Sequence, residues 1–348
     1  MRRHDASGRL RPALRSLGWF LVAAGLLTFL VRGVGADRIL AELRSADLRY
    51  VTAGVASSLA AVGAWSEAQR RVLRGVTERA TGLRFRIAYL AGDFMKQVLP
   101  MGHVSGPALM ALTVSRAVET SYERTLASIT VSDLLNLLAS VALAAVGVAH
   151  LSLGRRPAGV GPFLGGLAVA LGGILTLVLA VTRFRPTLVS TLVSASRAAR
   201  AAIRRLGGRL ERTFGRSLDP DRVSRQLGEY FGSLDAVTAD RRRVAVAAAV
   251  ALAGWVLYAL PLALCALAVG RPIPLSVVVV LVPLAGLATW LPSPGGLGGV
   301  EVALTGGLVV WGVDLGPAAA VVFLYRICSY WAAVAVDGLA MLAFTLRE

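Results

Sequence analysis

Several nearly uninterrupted apolar runs constrain this chain most, because they approach or exceed the ~20 residues a helix needs to cross hydrocarbon. A backbone in lipid must satisfy its own N–H and C=O groups, so such runs are read as helices. The predicted fold is all-α, a polytopic integral membrane protein. About six full spans are expected, near residues 17–35, 49–66, 125–150, 159–182, 243–269 and 315–345. Composition agrees: mean hydropathy is +0.67, and 16% of residues are charged where soluble domains carry about a quarter. The 348 residues would otherwise suggest two soluble domains.

Two further apolar stretches are broken at their centres. Phe85–Thr113 contains Leu99-Pro100-Met101-Gly102, and Pro274–Val310 contains Leu291-Pro292-Ser293-Pro294-Gly295-Gly296. Proline removes a backbone donor and clashes with the preceding turn, and glycine weakens the helix further. Such a break is tolerated in a membrane only where protein or water satisfies the freed groups. Each stretch is therefore predicted to be a re-entrant helical hairpin; a kinked pair of full spans is the other reading. Pro100, Pro292 and Pro294 are the predicted structural breaks. The hairpins also match without gaps: Leu99, Pro100, Gly106, Ala111, Leu112 and Thr113 align with Leu291, Pro292, Gly298, Ala303, Leu304 and Thr305. An odd number of crossings lies between them, so the units form an inverted repeat, a pattern of transporters with midplane sites.

Net charge is +17, nearly all from arginine. In a soluble protein that excess suggests nucleic acid. Here it marks cytoplasmic loops and anionic headgroups instead, and no nucleic acid partner is expected. Arg2, Arg3, Arg9, Arg11 and Arg15 place the N-terminus inside. The loop with Arg70, Arg71, Arg74, Arg79, Arg84 and Arg86 is also inside. The first hairpin opens inside, the second outside, and the C-terminus returns inside. Arg155 and Arg156 are exceptions. Residues 1–348 read as one transmembrane domain in the cell membrane. Within it, 184–242 is a basic helical insert, either lying on an anionic leaflet or forming a solvated linker. Basic Met1–Gly18 followed by apolar Trp19–Val31 resembles a signal peptide. A small-x-small cleavage site is poorly formed, so a retained anchor is expected.

Ionisable side chains at membrane depth are costly and usually face a cavity or a partner. Asp93 and Lys96 share a helical face on the first hairpin, and Lys96 is the one lysine of the sequence. It is a candidate phosphate-binding cation, or else it forms a local pair with Asp93. His103 and Ser105 follow the break and either line a polar cavity or satisfy backbone. Asp133 and Asn136 lie three apart on the third span. Glu301 follows the second break, and Tyr325 and Arg326 lie on the last span. Arg326 is expected either to pair with Asp133 or to grip a phosphate with its planar fork. Asp337 is expected to be structural. Gly295, Gly296 and Gly298 permit close backbone approach and exposed amides for an anion, or close helix packing. Cys265 and Cys328 read as packing residues, and the scattered His4, His103 and His150 make no metal cluster. There is no nucleophile elbow, P-loop or dinucleotide fingerprint, so neither an enzyme nor a cofactor is expected.

The stretch 291–331, with Pro292 or Pro294, Gly295-Gly296, Gly298, Glu301, Gly312, Tyr325-Arg326 and Trp331, resembles the transmembrane region of lysylphosphatidylglycerol synthases. That family also includes stand-alone flippase-like proteins. Asp133 fits the aspartate of the following span. The first hairpin departs from the pattern: it has Val104-Ser105-Gly106-Pro107 and Met110 where relatives have Gly-Gly-Asp and a nearby arginine. The lysine-transferring relatives carry a large soluble domain after the membrane part. With the chain stopping at Glu348, the resemblance implies the translocation half. The expected function is a membrane lipid translocase. Its cargo would be an anionic or aminoacylated phospholipid or a polyprenyl-phosphate-linked lipid. Other readings are a small-solute or ion secondary transporter, and a non-catalytic partner of a lipid- or glycan-modifying enzyme. Expected partners are membrane lipids with anionic headgroups, with an enzyme partner or homo-oligomer also open.

Overall fold

The computed structural model describes residues 36–99, 102–153, 183–206, 218–290 and 293–346, with scattered positions between 169 and 181. All regular structure among these residues is helical. In order, the helices are α1 (Ala36–Ser45), α2 (Leu48–Leu73), α3 (Gly82–Val98), α4 (Gly102–Ala117), α5 (Tyr122–Leu153), α6 (Arg185–Leu206), α7 (Pro220–Ala239), α8 (Arg241–Ala268), α9 (Leu275–Gly286), α10 (Gly299–Val310), α11 (Leu315–Arg326) and α12 (Ala332–Thr345). Two 3-10 turns, Leu287–Trp290 and Pro294–Gly296, join α9 to α10, and a π-helical turn, Ile327–Trp331, joins α11 to α12. The first and fourth predicted spans, 17–35 and most of 159–182, lie outside the described residues. So do Pro100, Pro292 and both chain termini.

Among the described residues three helices are long and apolar enough to cross a membrane: Tyr122–Leu153, Arg241–Ala268 and Leu315–Thr345, of 32, 28 and 31 residues. They coincide with predicted spans three, five and six. Asp240 caps α8, its side chain accepting from Arg243 N. Helix α2 covers predicted span two and is 26 residues long, but it is more polar and is not among the three. Its polar side chains turn inward. Ser58, Ser66 and Gln69 are buried, Gln69 Nε2 donates to Ser128 Oγ on α5 at 3.1 Å, and Ser57 Oγ donates to Leu257 O on α8 at 2.7 Å. The Gln69 and Ser57 hydrogen bonds, together with small serines that allow close packing, let α2 sit in the bundle despite its low apolarity.

Each broken stretch forms two antiparallel helices. In the first, a Cβ on Gly92 would meet Met110 Cα at 2.9 Å, and Thr113 Oγ1 donates to Ala88 O at 3.3 Å. In the second, a Cβ on Gly307 would meet Leu281 Cδ2 at 2.6 Å, and one on Gly296 would meet Thr289 Cα at 2.9 Å. The arms α3, α4, α9 and α10 have 17, 16, 12 and 12 residues. All fall short of the ~20 residues of a full crossing. The two glycines matched between the stretches have different settings. Gly106 lies within α4, where a Cβ would overlap the Lys96 side chain, whereas Gly298 is the N-cap of α10 with φ 85°.

The open ends of the first hairpin lie together. Arg79, just before α3, pairs with Glu119, just after α4, at 3.2 Å. Next to them Glu67 gathers Arg70 at 2.7 Å, Arg71 at 3.0 Å and Arg86 at 3.8 Å. The basic insert packs on this end through α7, where Glu229 accepts from Ser121 and Arg124 at 2.7 and 3.2 Å. Arg185 and Arg200 of α6 pair with Asp235 and Asp219. Two insert arginines, Arg185 and Arg200, thus neutralise acids of the protein itself.

Candidate functional site

The second break builds the first part of the site. Gly295, Gly296 and Gly298 have φ of 54°, 66° and 85°, a region where a Cβ is strained. This conformation turns the Gly295 carbonyl toward Arg326 of the last span and the Gly298 amide toward Glu301 of α10. Glu301 Oε2 accepts from Gly298 N at 2.7 Å, and Arg326 Nη2 donates to Gly295 O at 2.9 Å. The two side chains close the ring: Arg326 Nε donates to Glu301 Oε1 at 2.8 Å, with side-chain exposures of 5% and 3%. Arg326 also lies over the Tyr330 ring, its guanidinium carbon 4.4 Å from the centroid. Two freed backbone groups of the break, Gly295 C=O and Gly298 N–H, therefore have charged partners, as a broken helix in lipid requires of its unpaired groups.

The π turn accounts for how one helix presents both Arg326 and Tyr330 to the break. It begins directly after Arg326 and carries Tyr330 at its fourth residue. The wider winding of a π turn shifts the faces of the flanking helix, and such turns often mark functional positions. Beyond it, α12 buries Ala333, Asp337 and Ala340 while Val336, Leu339 and Leu342 are exposed. The carboxyl of α12 faces the bundle with small alanines beside it, and the large apolar side chains face outward, as a membrane demands.

The second part lies at the tip of the first hairpin, which touches the 3-10 turn Pro294–Gly296. Tyr330 bridges the parts: its ring packs on Gly295 and its hydroxyl donates to Gln97 O at 3.4 Å. Lys96 Nζ pairs with Asp133 Oδ1 at 3.1 Å, with exposures of 17% and 42%. Gln97 Nε2 donates to Asp93 Oδ2 at 2.8 Å and to Asp337 Oδ2 at 2.7 Å. Three residues from other elements, Asp133, Asp337 and Tyr330, thus meet Lys96 or Gln97.

The expected Asp133–Arg326 pair does not form, and neither does the local Asp93–Lys96 pair. Arg326 goes to Glu301 because α10 starts at the break and carries Glu301 only three residues beyond Gly298. Lys96 goes to Asp133 because α5 passes its tip, leaving Asp93 to Gln97. Asn136, one turn beyond Asp133, donates to Ser132 O at 3.1 Å, and its buried Oδ1 has no partner among the described residues. Ser105 is exposed, Tyr325 is buried against Tyr258, and the side chain of His103 lies outside the described residues. Gln97 was not foreseen, and Asp337 was expected to be only structural. The sequence signal for both is a polar side chain inside an otherwise apolar helix. Cys265 and Cys328 are buried with Sγ atoms 3.8 Å apart, as the packing reading expects.

No curated protein and no solved structure is significantly similar to the chain. A family description does match, over nearly the whole chain and including both hairpins. Residues 17–336 fit the lysylphosphatidylglycerol synthase TM region, and the chain is a membrane protein belonging to that family.

Proposed function

We propose that this chain is a non-enzymatic lipid translocase, moving an anionic, aminoacylated or polyprenyl-phosphate-linked lipid between leaflets of the cell membrane. The carrying observation is the Glu301–Arg326 ion pair, buried where a broken hairpin meets a π turn. Taking two charges out of water costs several kcal/mol per ion on the order of effective protein penalties. A chain that keeps them there has a use for them. The short arms support re-entrant hairpins of opposite orientation, and the Arg79–Glu119 junction beside the arginine cluster supports a first hairpin opening on the cytoplasmic side, with both termini on that side. Tips that touch through Tyr330 support a shared polar chamber near the midplane.

In this reading the headgroup phosphate first competes with Asp133 for Lys96, the more open pair. It then competes with Glu301 for Arg326, whose planar fork suits a phosphodiester. The acyl tails stay in lipid throughout. The test is headgroup-labelled phosphatidylglycerol, lysyl-phosphatidylglycerol, phosphatidylethanolamine and a polyprenyl phosphate in reconstituted vesicles. Wild type is expected to exchange at least one of these between leaflets, and Arg326→Ala and Glu301→Ala to slow that exchange tenfold or more. Wild-type protein that moves none of them removes the translocase reading. Variants that match wild type remove the site.

A further inference from the structure

Asp93 on α3 and Asp337 on α12 share one amide. The two hydrogens of Gln97 Nε2 are both spent on them, so the two Oδ2 atoms are no farther apart than these two hydrogen bonds laid end to end. Asp337 is fully buried, and its Oδ1 meets no donor among the described residues. The ionisable groups facing the pair are Lys96 and Tyr89 of α3, Asp133 of α5, and Tyr330 of the π turn, which lies on Arg326. Both cations nearby are committed: Lys96 to Asp133 and Arg326 to Glu301.

Two carboxylates held on one amide, Asp337 buried and Asp93 partly so, repel, and a single proton between them removes the repulsion, the arrangement aspartic proteases use. Here a proton also gives Asp337 Oδ1 the hydrogen that no donor supplies among the described residues. We propose that Asp93 and Asp337 hold one shared proton, and that this proton is the coupling ion for the lipid movement inferred above, on which this second half rests. Lys96 is the link. It lies one helical step from Asp93 and is drawn to Asp133 only while the Asp93–Asp337 pair carries one charge. When the proton leaves, the doubled negative charge pulls Lys96 back and withdraws it from the headgroup. Proton and phosphate therefore favour each other's binding, and by linkage they do so reciprocally.

The test uses the full chain in vesicles of phosphatidylethanolamine and phosphatidylglycerol with a trace of headgroup-labelled phosphatidylglycerol. A one-unit pH gradient is imposed, and the membrane potential is clamped with potassium and valinomycin. One proton per lipid sustains up to about a tenfold ratio of label between leaflets, since a tenfold gradient stores one tenfold step of equilibrium constant. A protonophore collapses that ratio, and Asp337→Asn never builds it. Label that crosses but stays evenly distributed under the gradient overturns the coupling while leaving lipid translocation intact. If no label crosses, infrared spectra of wild type at neutral pH decide the proton site independently. A protonated-carboxyl stretch absent from Asp337→Asn keeps the site and discards the lipid, whereas no such band in wild type overturns the proposal.

Discussion

Replacing Glu301 by Leu removes one half of a closed ion pair and leaves the other half stranded. Arg326 is 5% exposed and its remaining anchors are the Gly295 carbonyl and the Tyr330 ring. An uncompensated buried charge costs about 3–5 kcal/mol. Arg326→Met strands Glu301 in the same way, with only Gly298 N–H left to it, and costs about as much. The double variant strands no charge. It leaves two backbone groups, Gly298 N–H and Gly295 C=O, without their side-chain partners, at about 1 kcal/mol each and so ~2 kcal/mol in all. The double variant is therefore expected to be more stable than either single one, by ~1–3 kcal/mol. Denaturant unfolding of the purified protein in detergent, followed by tryptophan fluorescence, measures all four corners of the cycle. Additive losses would show that the two side chains do not act as one buried pair, and the argument from burial would fail. The same double variant restores stability without restoring the phosphate-binding fork, so lipid exchange is expected to stay at the level of the single variants.

Lys96→Met perturbs a more open pair. Asp133 keeps 42% of its side-chain exposure, so the stability loss is expected to stay within about 1 kcal/mol, while lipid exchange falls tenfold or more. A stability loss equal to that of Glu301→Leu would mean that the first cluster is closed and structural. Gly295→Ala places a Cβ at φ 54° against the Tyr330 ring. Overpacking of this kind costs about 1–3 kcal/mol, and unfolding midpoints together with lipid exchange should both fall. Unchanged midpoints would show that the break relaxes freely and does not hold Tyr330 in place.

The long helices and the broken pairs were legible because hydrocarbon imposes a coarse rule. Apolar runs long enough to cross became helices at 122–153, 241–268 and 315–345, and the Pro/Gly stretches became antiparallel pairs. Candidate charges were legible for the same reason, since Lys96, Asp133, Glu301 and Arg326 each interrupt an apolar helix. Their partnerships were not. Whether Arg326 meets Asp133 or Glu301 depends on how α10 and α5 lie beside the last span, and residue spacing along one helix carries no information about another. The π turn after Arg326 is likewise absent from any period in the sequence, because the helices on either side of it are apolar nearly all round and a shift of face leaves little trace in their hydropathy. Gln97 reaches Asp93 four residues back along its own helix, but it reaches Asp337 only across 240 residues of chain. Local sequence dictates which groups must be sheltered from lipid; only the packing of distant helices decides which group shelters which, because a hydrogen bond is set by ångström distances that no hydropathy pattern records.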